Sequence, residues 1–266
     1  MKTAIKYFFI YLGLTFLGAL VFAFPAMIIE AIISKGFMAD EANLSPWTIS
    51  FLVIGGQILP LIVFWKKKWC NYAFFKGYDY KKLILWLVVG WIGCVLIEAF
   101  LQEYLPHYEW DFEVLKDIEA MLTNPIGIVS VCILAPLVEE GVFRGAIERK
   151  LLEKDWNPWW AIVISALLFA LMHMNLTQGI TAMILGLFLG WIYYRTRNIW
   201  LCIFVHALNN TVSTVLFYFT GNADASVGDT FSLPVNLLLL VLGGVLIFWG
   251  TLNMAKTEES DKQLTA

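Results

Sequence analysis

The chain has 266 residues, of which 60% are hydrophobic and 15% charged, and its mean hydropathy is +0.73. So apolar a composition leaves too little polar surface to cover a water-soluble globule, which excludes an ordinary soluble domain and predicts that apolar side chains face lipid. The net charge of −3, without a long basic run, excludes a nucleic-acid partner.

Eight apolar stretches follow one another along the chain. Because a transmembrane helix needs roughly 20 apolar residues, they predict an all-α, polytopic transmembrane helix bundle of about eight spans. Only residues 175–177 separate the fifth stretch from the sixth, so we expect these two helices to be antiparallel neighbours. The stretches are 7–33, 46–65, 83–101, 124–147, 158–174, 178–194, 198–219 and 233–253.

The connections between the stretches alternate in charge. Lysine and arginine concentrate on the cytoplasmic side of membrane proteins, and here they occupy every second connection while the opposite connections are acidic. The alternation predicts that both termini are cytoplasmic. It also places the acidic segment 102–123 outside, either over the mouth of the bundle or as an interfacial helix.

We expect three regions along the chain. Residues 1–123 hold about three amino-terminal spans and the outer acidic loop, residues 124–219 hold a core of about four spans, and residues 220–266 hold the last span and a cytoplasmic tail. The four cysteines are scattered, and we interpret them as small buried apolar residues rather than a disulfide framework.

The fourth stretch contains three charged residues within six positions, Glu139, Glu140 and Arg144. An ionisable side chain costs at least roughly 2.5 kcal/mol at the centre of a membrane helix, so each is a functional candidate. Glu140 and Arg144 stand at i, i+4, the spacing of an ion pair, which leaves Glu139 on another face as a candidate general base. The alternative is a cluster of charges that only holds helices together.

Two of the three histidines lie within apolar stretches. His173 follows Phe169 by one helical turn, and His206 precedes Asn210 by one turn, which puts each pair on one face. The third, His107, falls in the acidic connection and is interpreted as a solvated side chain. Counting 1.5 Å per residue from the cytoplasmic helix ends places Glu139 and His173 at a similar depth of roughly 23 Å, Asn210 at roughly 18 Å and His206 at only roughly 12 Å.

These residues could hydrolyse a peptide bond. A carboxylate and an imidazole that flank one water can take its proton while it attacks a carbonyl, and an amide such as Asn210, joined by His206, can stabilise the oxyanion. Two histidines and a carboxylate could instead bind a catalytic zinc ion, although no compact metal motif is present, and we expect no cofactor. Nucleophilic catalysis by Cys202, at i, i+4 from His206, or by Ser165 is a weaker option.

Three motifs resemble those of the CPBP intramembrane protease family, which includes the CAAX prenyl endopeptidases. They are Glu139-Glu140-x-x-x-Arg144, Phe169-x-x-x-His173 and His206-x-x-x-Asn210, and the match covers about 124–219. The resemblance implies that Glu139 and His173 activate water, that His206 and Asn210 form the oxyanion hole, and that the substrate is a membrane-associated peptide or protein, in some members prenylated. It also implies a multi-pass protein of a prokaryotic cell membrane.

Two other classes of function remain open at this stage. A proton-coupled transporter would also need intramembrane Glu, His and Arg, but the chain shows no related halves. An immunity-type membrane protein without catalysis would not need Glu139 at all.

Overall fold

The computed structural model of the protein describes residues 1–33, 44–70, 72, 80–105, 109–221 and 231–265, with residues 29, 33, 109–115 and 258–265 described by their backbone alone. These residues form nine helices and no strand. The helices are α1 (Lys2–Ile33), α2 (Pro46–Lys66), α3 (Tyr80–Tyr104), α4 (Glu109–Leu122), α5 (Pro125–Leu152), α6 (Pro158–Met172), α7 (Leu176–Thr196), α8 (Ile199–Thr220) and α9 (Leu233–Thr265).

Seven of the described helices, all but α4 and α6, are long and apolar enough to cross a membrane. The predicted fold class, an all-α polytopic bundle, is therefore confirmed, and the protein is an integral multi-pass membrane protein. The predicted stretch 158–174 corresponds to α6, which has only 15 residues. At 1.5 Å per residue α6 is about 22 Å long, shorter than the roughly 30 Å of a bilayer's hydrocarbon core.

Five of the helices begin at a polar residue that caps the free backbone N–H groups. The Asn124 side chain accepts a hydrogen bond from the Gly127 N–H at 3.0 Å, and Asn175 accepts one from the Gln178 N–H at 2.9 Å. Such caps stabilise a helix by about 1 kcal/mol each, and a proline in the next position fits the first turn without loss of a hydrogen bond. The capping residues are Ser45, Asn124, Asn157, Asn175 and Asn198, and proline follows the first three.

Glycines let two pairs of helices approach closely. A methyl group on Gly18 of α1 would lie 2.1 Å from the Gly55 carbonyl oxygen of α2, and one on Gly93 of α3 would lie 2.5 Å from the Gly243 carbonyl oxygen of α9. Small residues are a common basis of helix association in lipid, where apolar burial between helices gains little. In both pairs the helices are antiparallel.

The registers of two further helix pairs bear on the site. Helices α6 and α7 are antiparallel neighbours, as expected from their short connection, because Ala170 lies against Gly179 and Ala166 against Gly186. Helices α3 and α8 are parallel: the Asn198 amide contacts the Tyr80 hydroxyl at 3.4 Å, and the Trp91 indole N–H donates to the Asn209 side-chain oxygen at 3.0 Å. The second contact lies eleven residues after the first on both helices. Position n of α3 is therefore level with position n+118 of α8.

The beginning of α1 and the later part of α9 lie at the same end of the bundle. Tyr7 packs on Phe64 and Trp69, at the end of α2. At that end Trp249 of α9 packs on Trp86, near the start of α3, with ring centroids 5.6 Å apart. This arrangement is compatible with both termini on one side of the membrane, and the choice of the cytoplasmic side stays a prediction.

Candidate active site

Helix α5 carries the charged residues in an irregular segment. The stretches Ser130–Leu134 and Phe143–Glu148 are wound as π-helix and flank the regular turns Ala135–Val142. Single π-helical turns inside α-helices are rare and occur frequently at functional sites. The two carboxylates therefore lie between two local changes of helical register, which the sequence pattern did not predict.

Tyr72, in the segment between α2 and α3, packs against α5 at this point. Its hydroxyl donates a hydrogen bond to the Leu137 carbonyl oxygen at 3.1 Å, and a methyl group on Gly141 would lie 2.0 Å from that hydroxyl. Burial raises the pKa of the Tyr72 phenol, and burial likewise raises the pKa of the neighbouring Cys70 thiol. Tyr72 consequently stays protonated and can donate its hydrogen bond. Because a methyl group would overlap the hydroxyl, position 141 requires glycine.

Glu140 and Arg144 form a fully buried ion pair. Arg144 Nη1 donates to Glu140 Oε1 at 2.9 Å, with neither side chain exposed, so the pairing predicted from the i, i+4 spacing is confirmed. Arg144 Nη2 donates to the Gly186 carbonyl oxygen of α7, and the guanidinium carbon lies 4.8 Å above the centre of the Phe169 ring of α6. The arginine therefore joins α5, α6 and α7.

His206 of α8 lies between the two carboxylates. Its Nδ1 is 2.8 Å from Glu140 Oε1, and its Nε2 is 3.8 Å from Glu139 Oε2. The shallow depth of His206 expected from residue counting is wrong. Helix α8 begins deeper than the end of α5, since the Ile199 side chain lies 3.0 Å from where a Gly145 Cβ would stand, and this brings His206 level with the glutamates.

His173 forms the end of α6. Its Nδ1 lies 2.9 Å from the Phe169 carbonyl oxygen one turn earlier, and the Phe169 ring meets the rings of His173 and His206 edge to face, with centroids 5.0 and 5.6 Å apart. A carbonyl only accepts, so Nδ1 carries the proton and Nε2 of the neutral ring is left as the basic nitrogen. Phe169 thus holds both histidines and Arg144.

A cavity of about 260 Å³ connects three of the predicted site residues. His173, His206 and Asn210 line it together with Phe169, while Glu139 does not line it and adjoins it at His206. The Asn210 amide donates one hydrogen bond, to the Val131 carbonyl oxygen at 2.9 Å. Glu139 is 15% exposed and Glu140 fully buried, so Glu139 is the carboxylate that water can reach.

Several polar residues in this region were missed in the sequence. Glu148 is buried in α5 with no hydrogen-bond partner among the described residues, and with Glu140 and Arg144 it completes an i, i+4, i+8 series. Glu98 of α3 lines the cavity, and so does Asn209 beside Asn210. Glu98 interrupts the stretch 83–101, so the cost of an intramembrane charge, applied to that stretch, would have identified it.

The two nucleophile alternatives, Cys202 and Ser165, find little support in the geometry. Cys202 is buried, its thiol donates to the Leu189 carbonyl oxygen at 3.5 Å, and it does not line the cavity. Ser165 donates to the Phe143 carbonyl oxygen. In the described part of the chain, no group of three His, Cys, Asp or Glu side chains is arranged to hold a metal ion. His107 lies outside the described residues.

Comparisons with known proteins match the part of the chain that contains the three motifs. Residues 121–212 match the family model described as Type II CAAX prenyl endopeptidase Rce1-like. Over 99 residues the chain is 33% identical to the Bacillus subtilis (strain 168) protein named "Putative membrane peptidase YdiL", which covers 37% of this chain and 40% of that protein. The chain thus matches well under half the length of this curated relative. No solved structure matches.

The matched residues carry every side chain of the three motifs and extend from the end of α4 into α8. Over residues 121–212, the chain is therefore similar to the Type II CAAX prenyl endopeptidase Rce1-like family, as the three motifs predicted.

Proposed function

We propose that this protein is an intramembrane endopeptidase that hydrolyses a peptide bond with water activated by Glu139 and His173, and that His206 and Asn210 form its oxyanion hole. The observation that carries the proposal is the shared cavity lined by His173, His206 and Asn210 from two different helices, with Glu139 of a third beside it. The match of residues 121–212 to the Rce1-like family model supports it.

The base side of the site is His173 with Glu139. The proton on His173 Nδ1 is held by the Phe169 carbonyl oxygen, so Nε2 is free to take a proton from water in the cavity. Glu139 supplies a carboxylate for the same water. The Glu139 carboxylate does not line the cavity. In sites without bound substrate the distances between catalytic groups are often long, and they shorten when substrate binds.

The oxyanion side is His206 with Asn210. Glu140, an acceptor when ionised, holds the proton on His206 Nδ1, so a protonated ring would offer its Nε2–H to the developing oxyanion. The Asn210 amide has two N–H donors and uses one on the Val131 carbonyl oxygen, which leaves the other for the substrate.

The substrate class that we propose is a membrane-associated peptide or protein, with prenylated CAAX-type peptides as the first to test because the matching family is described by that activity. We propose metal-independent catalysis, and residues 124–219 as the catalytic core. We place the protein in the cell membrane of a prokaryote, since the relative that is named a membrane peptidase comes from Bacillus subtilis.

The test is cleavage of two fluorogenic peptides, one prenylated and one an unmodified transmembrane sequence, by the purified protein. We expect Glu139→Gln to lower kcat roughly 10²–10⁴-fold, because it removes a general base. The exposed Glu153→Gln serves as the matched control and should cleave like wild type. A chelator should leave the rates unchanged.

Two results would contradict the proposal. Equal rates for Glu139→Gln and wild type would remove Glu139 from the mechanism, and loss of activity on chelation would favour the zinc alternative. If neither peptide nor any membrane peptide is cut, the non-catalytic alternatives, a transporter or an immunity-type protein, take the place of the protease.

A further inference from the structure

The cavity continues well beyond the proposed catalytic residues, toward the far end of α3 and α4. Its walls there include Glu98 and Gln102 of α3, Ile118 and Leu122 of α4, and Phe217 of α8. The last turn of α4 therefore lies at the cavity wall. This outer part of the cavity is separate from the motifs that define the family.

Glu98 stands out within this outer part. Its Oε1 is buried without a hydrogen-bond partner among the described residues. The cavity lining contains no lysine or arginine, so no cation of the described chain faces Glu98 across it. In a low-dielectric site an unpaired carboxylate is costly, and a cation brought by a ligand is the partner that would relieve the cost.

The position of Glu98 can be measured along the bundle. Because α3 and α8 are parallel with an offset of 118, Glu98 is level with position 216 of α8, six residues beyond Asn210. Six residues correspond to about 9 Å along a helix. An extended peptide rises about 3.3 Å per residue, so this distance corresponds to about three peptide residues.

The sequence that leads into the last turn of α4 has the same sign of charge as Glu98. Between positions 103 and 119 it has six acidic residues and one lysine. An acidic segment next to a cavity raises the local concentration of ligands of the opposite charge.

We propose that Glu98 is a specificity-determining residue that binds a lysine or arginine side chain of the substrate, about three residues from the bond that is cut. This inference rests on the proposed function, since it places the cation relative to the oxyanion hole. It adds a substrate preference that the catalytic residues do not define: a basic residue at one position of a membrane-associated peptide.

The first arm of the test measures cleavage. A mixture of acetylated peptides, each with lysine at one position or norleucine in its place, is digested by wild type, Glu98→Gln and Glu98→Lys, and the cut bonds are identified by mass spectrometry. Wild type should favour lysine about tenfold at one position near the third residue from the bond. Glu98→Gln should bring the ratio of the lysine and norleucine cleavage rates at that position close to one, and Glu98→Lys should favour glutamate there.

The second arm measures binding without catalysis, so that a failure of the proposed function is distinguished from a failure of the inference. Two proteins are titrated with the labelled lysine and norleucine peptides. One is the Glu139→Gln variant, and the other is the double variant that also carries Glu98→Gln. Tighter binding of the lysine peptide that disappears in Glu98→Gln supports the inference even if wild type cuts no peptide. A lysine preference that survives Glu98→Gln overturns the inference, and so does equal binding of both peptides by the protein that keeps Glu98.

Discussion

At the residue scale, the site depends on a carboxylate that serves two partners. Glu140 Oε1 lies 2.9 Å from Arg144 Nη1 and 2.8 Å from His206 Nδ1, with all three side chains buried. Burying such charges costs several kcal/mol each unless every one is paired, so removal of one partner leaves an uncompensated charge. Arg144 is consequently a structural residue whose loss also disturbs the position of His206.

We expect Arg144→Met to destabilise the protein by about 3–5 kcal/mol, because Glu140 would be left buried without its main cation. Lys150→Met offers a matched control, since Lys150 forms an exposed ion pair with Glu153 at 2.8 Å and such pairs contribute about 0–1 kcal/mol. Thermal unfolding of both variants in the same detergent measures the difference. Similar losses in the two variants would contradict the assignment of the buried pair as a major contribution.

At the element scale, α5 is in close contact with a residue from outside the helix. The Tyr72 hydroxyl reaches the Leu137 carbonyl oxygen only because Gly141 has no side chain. This contact lies one turn from Glu139 and Glu140, at the regular turns between the two π-helical stretches.

We predict that Gly141→Ala displaces Tyr72 and lowers stability by about 1–3 kcal/mol, the usual cost of overpacking, with a loss of cleavage that exceeds the loss of folded protein. Gly13→Ala and Gly244→Ala are the controls, since a methyl group at either helical position meets nothing within 4 Å and alanine favours helix. Thermal unfolding and peptide cleavage, measured on each variant, give the comparison. Tyr72→Phe removes the oxygen that would clash with the new methyl group. If it restores the stability and cleavage of Gly141→Ala, the Tyr72 contact is the cause of the loss. A Gly141→Ala protein with unchanged stability and cleavage would exclude that contact as important.

The elements were predictable from sequence where hydropathy alone decides. All eight apolar stretches correspond to helices, because a long apolar run in lipid must satisfy its backbone hydrogen bonds internally. The Glu140–Arg144 pair followed from helical spacing. The π-helical stretches did not follow from the sequence pattern, because a change of helical register leaves the hydropathy of the run unchanged. The predicted depth of His206 was wrong because residue counting along the chain does not give the position at which α8 begins relative to α5.

At the scale of the whole molecule, the bundle positions its termini together. Antiparallel packing of α1 with α2 and of α3 with α9 brings the start of α1 and the later part of α9 to one end. The same end holds Lys67 and Arg149, whose charge predicts the cytoplasmic side.

We predict that Lys67→Cys and Lys256→Cys are labelled by a membrane-impermeant maleimide only after cells are opened, whereas Asp117→Cys is labelled in intact cells. All three positions are exposed, and the four native cysteines are buried, so background labelling of the parent protein should be low. The opposite pattern would invert the orientation, and labelling of Lys67→Cys and Lys256→Cys from different sides would contradict the span count.

The shared oxygen of Glu140 also bears on how the proposed protease can be made without damage to its neighbours. Helix α8 leaves the ribosome after α5, α6 and α7, and until it docks, His206 and Asn210 are absent from the cavity and Glu140 has only Arg144 as a partner. With the chemistry proposed above, a partly inserted chain has a base but no oxyanion hole. Latency during biogenesis would then follow from the order of the helices alone, and neighbouring membrane proteins would be protected without an inhibitory segment.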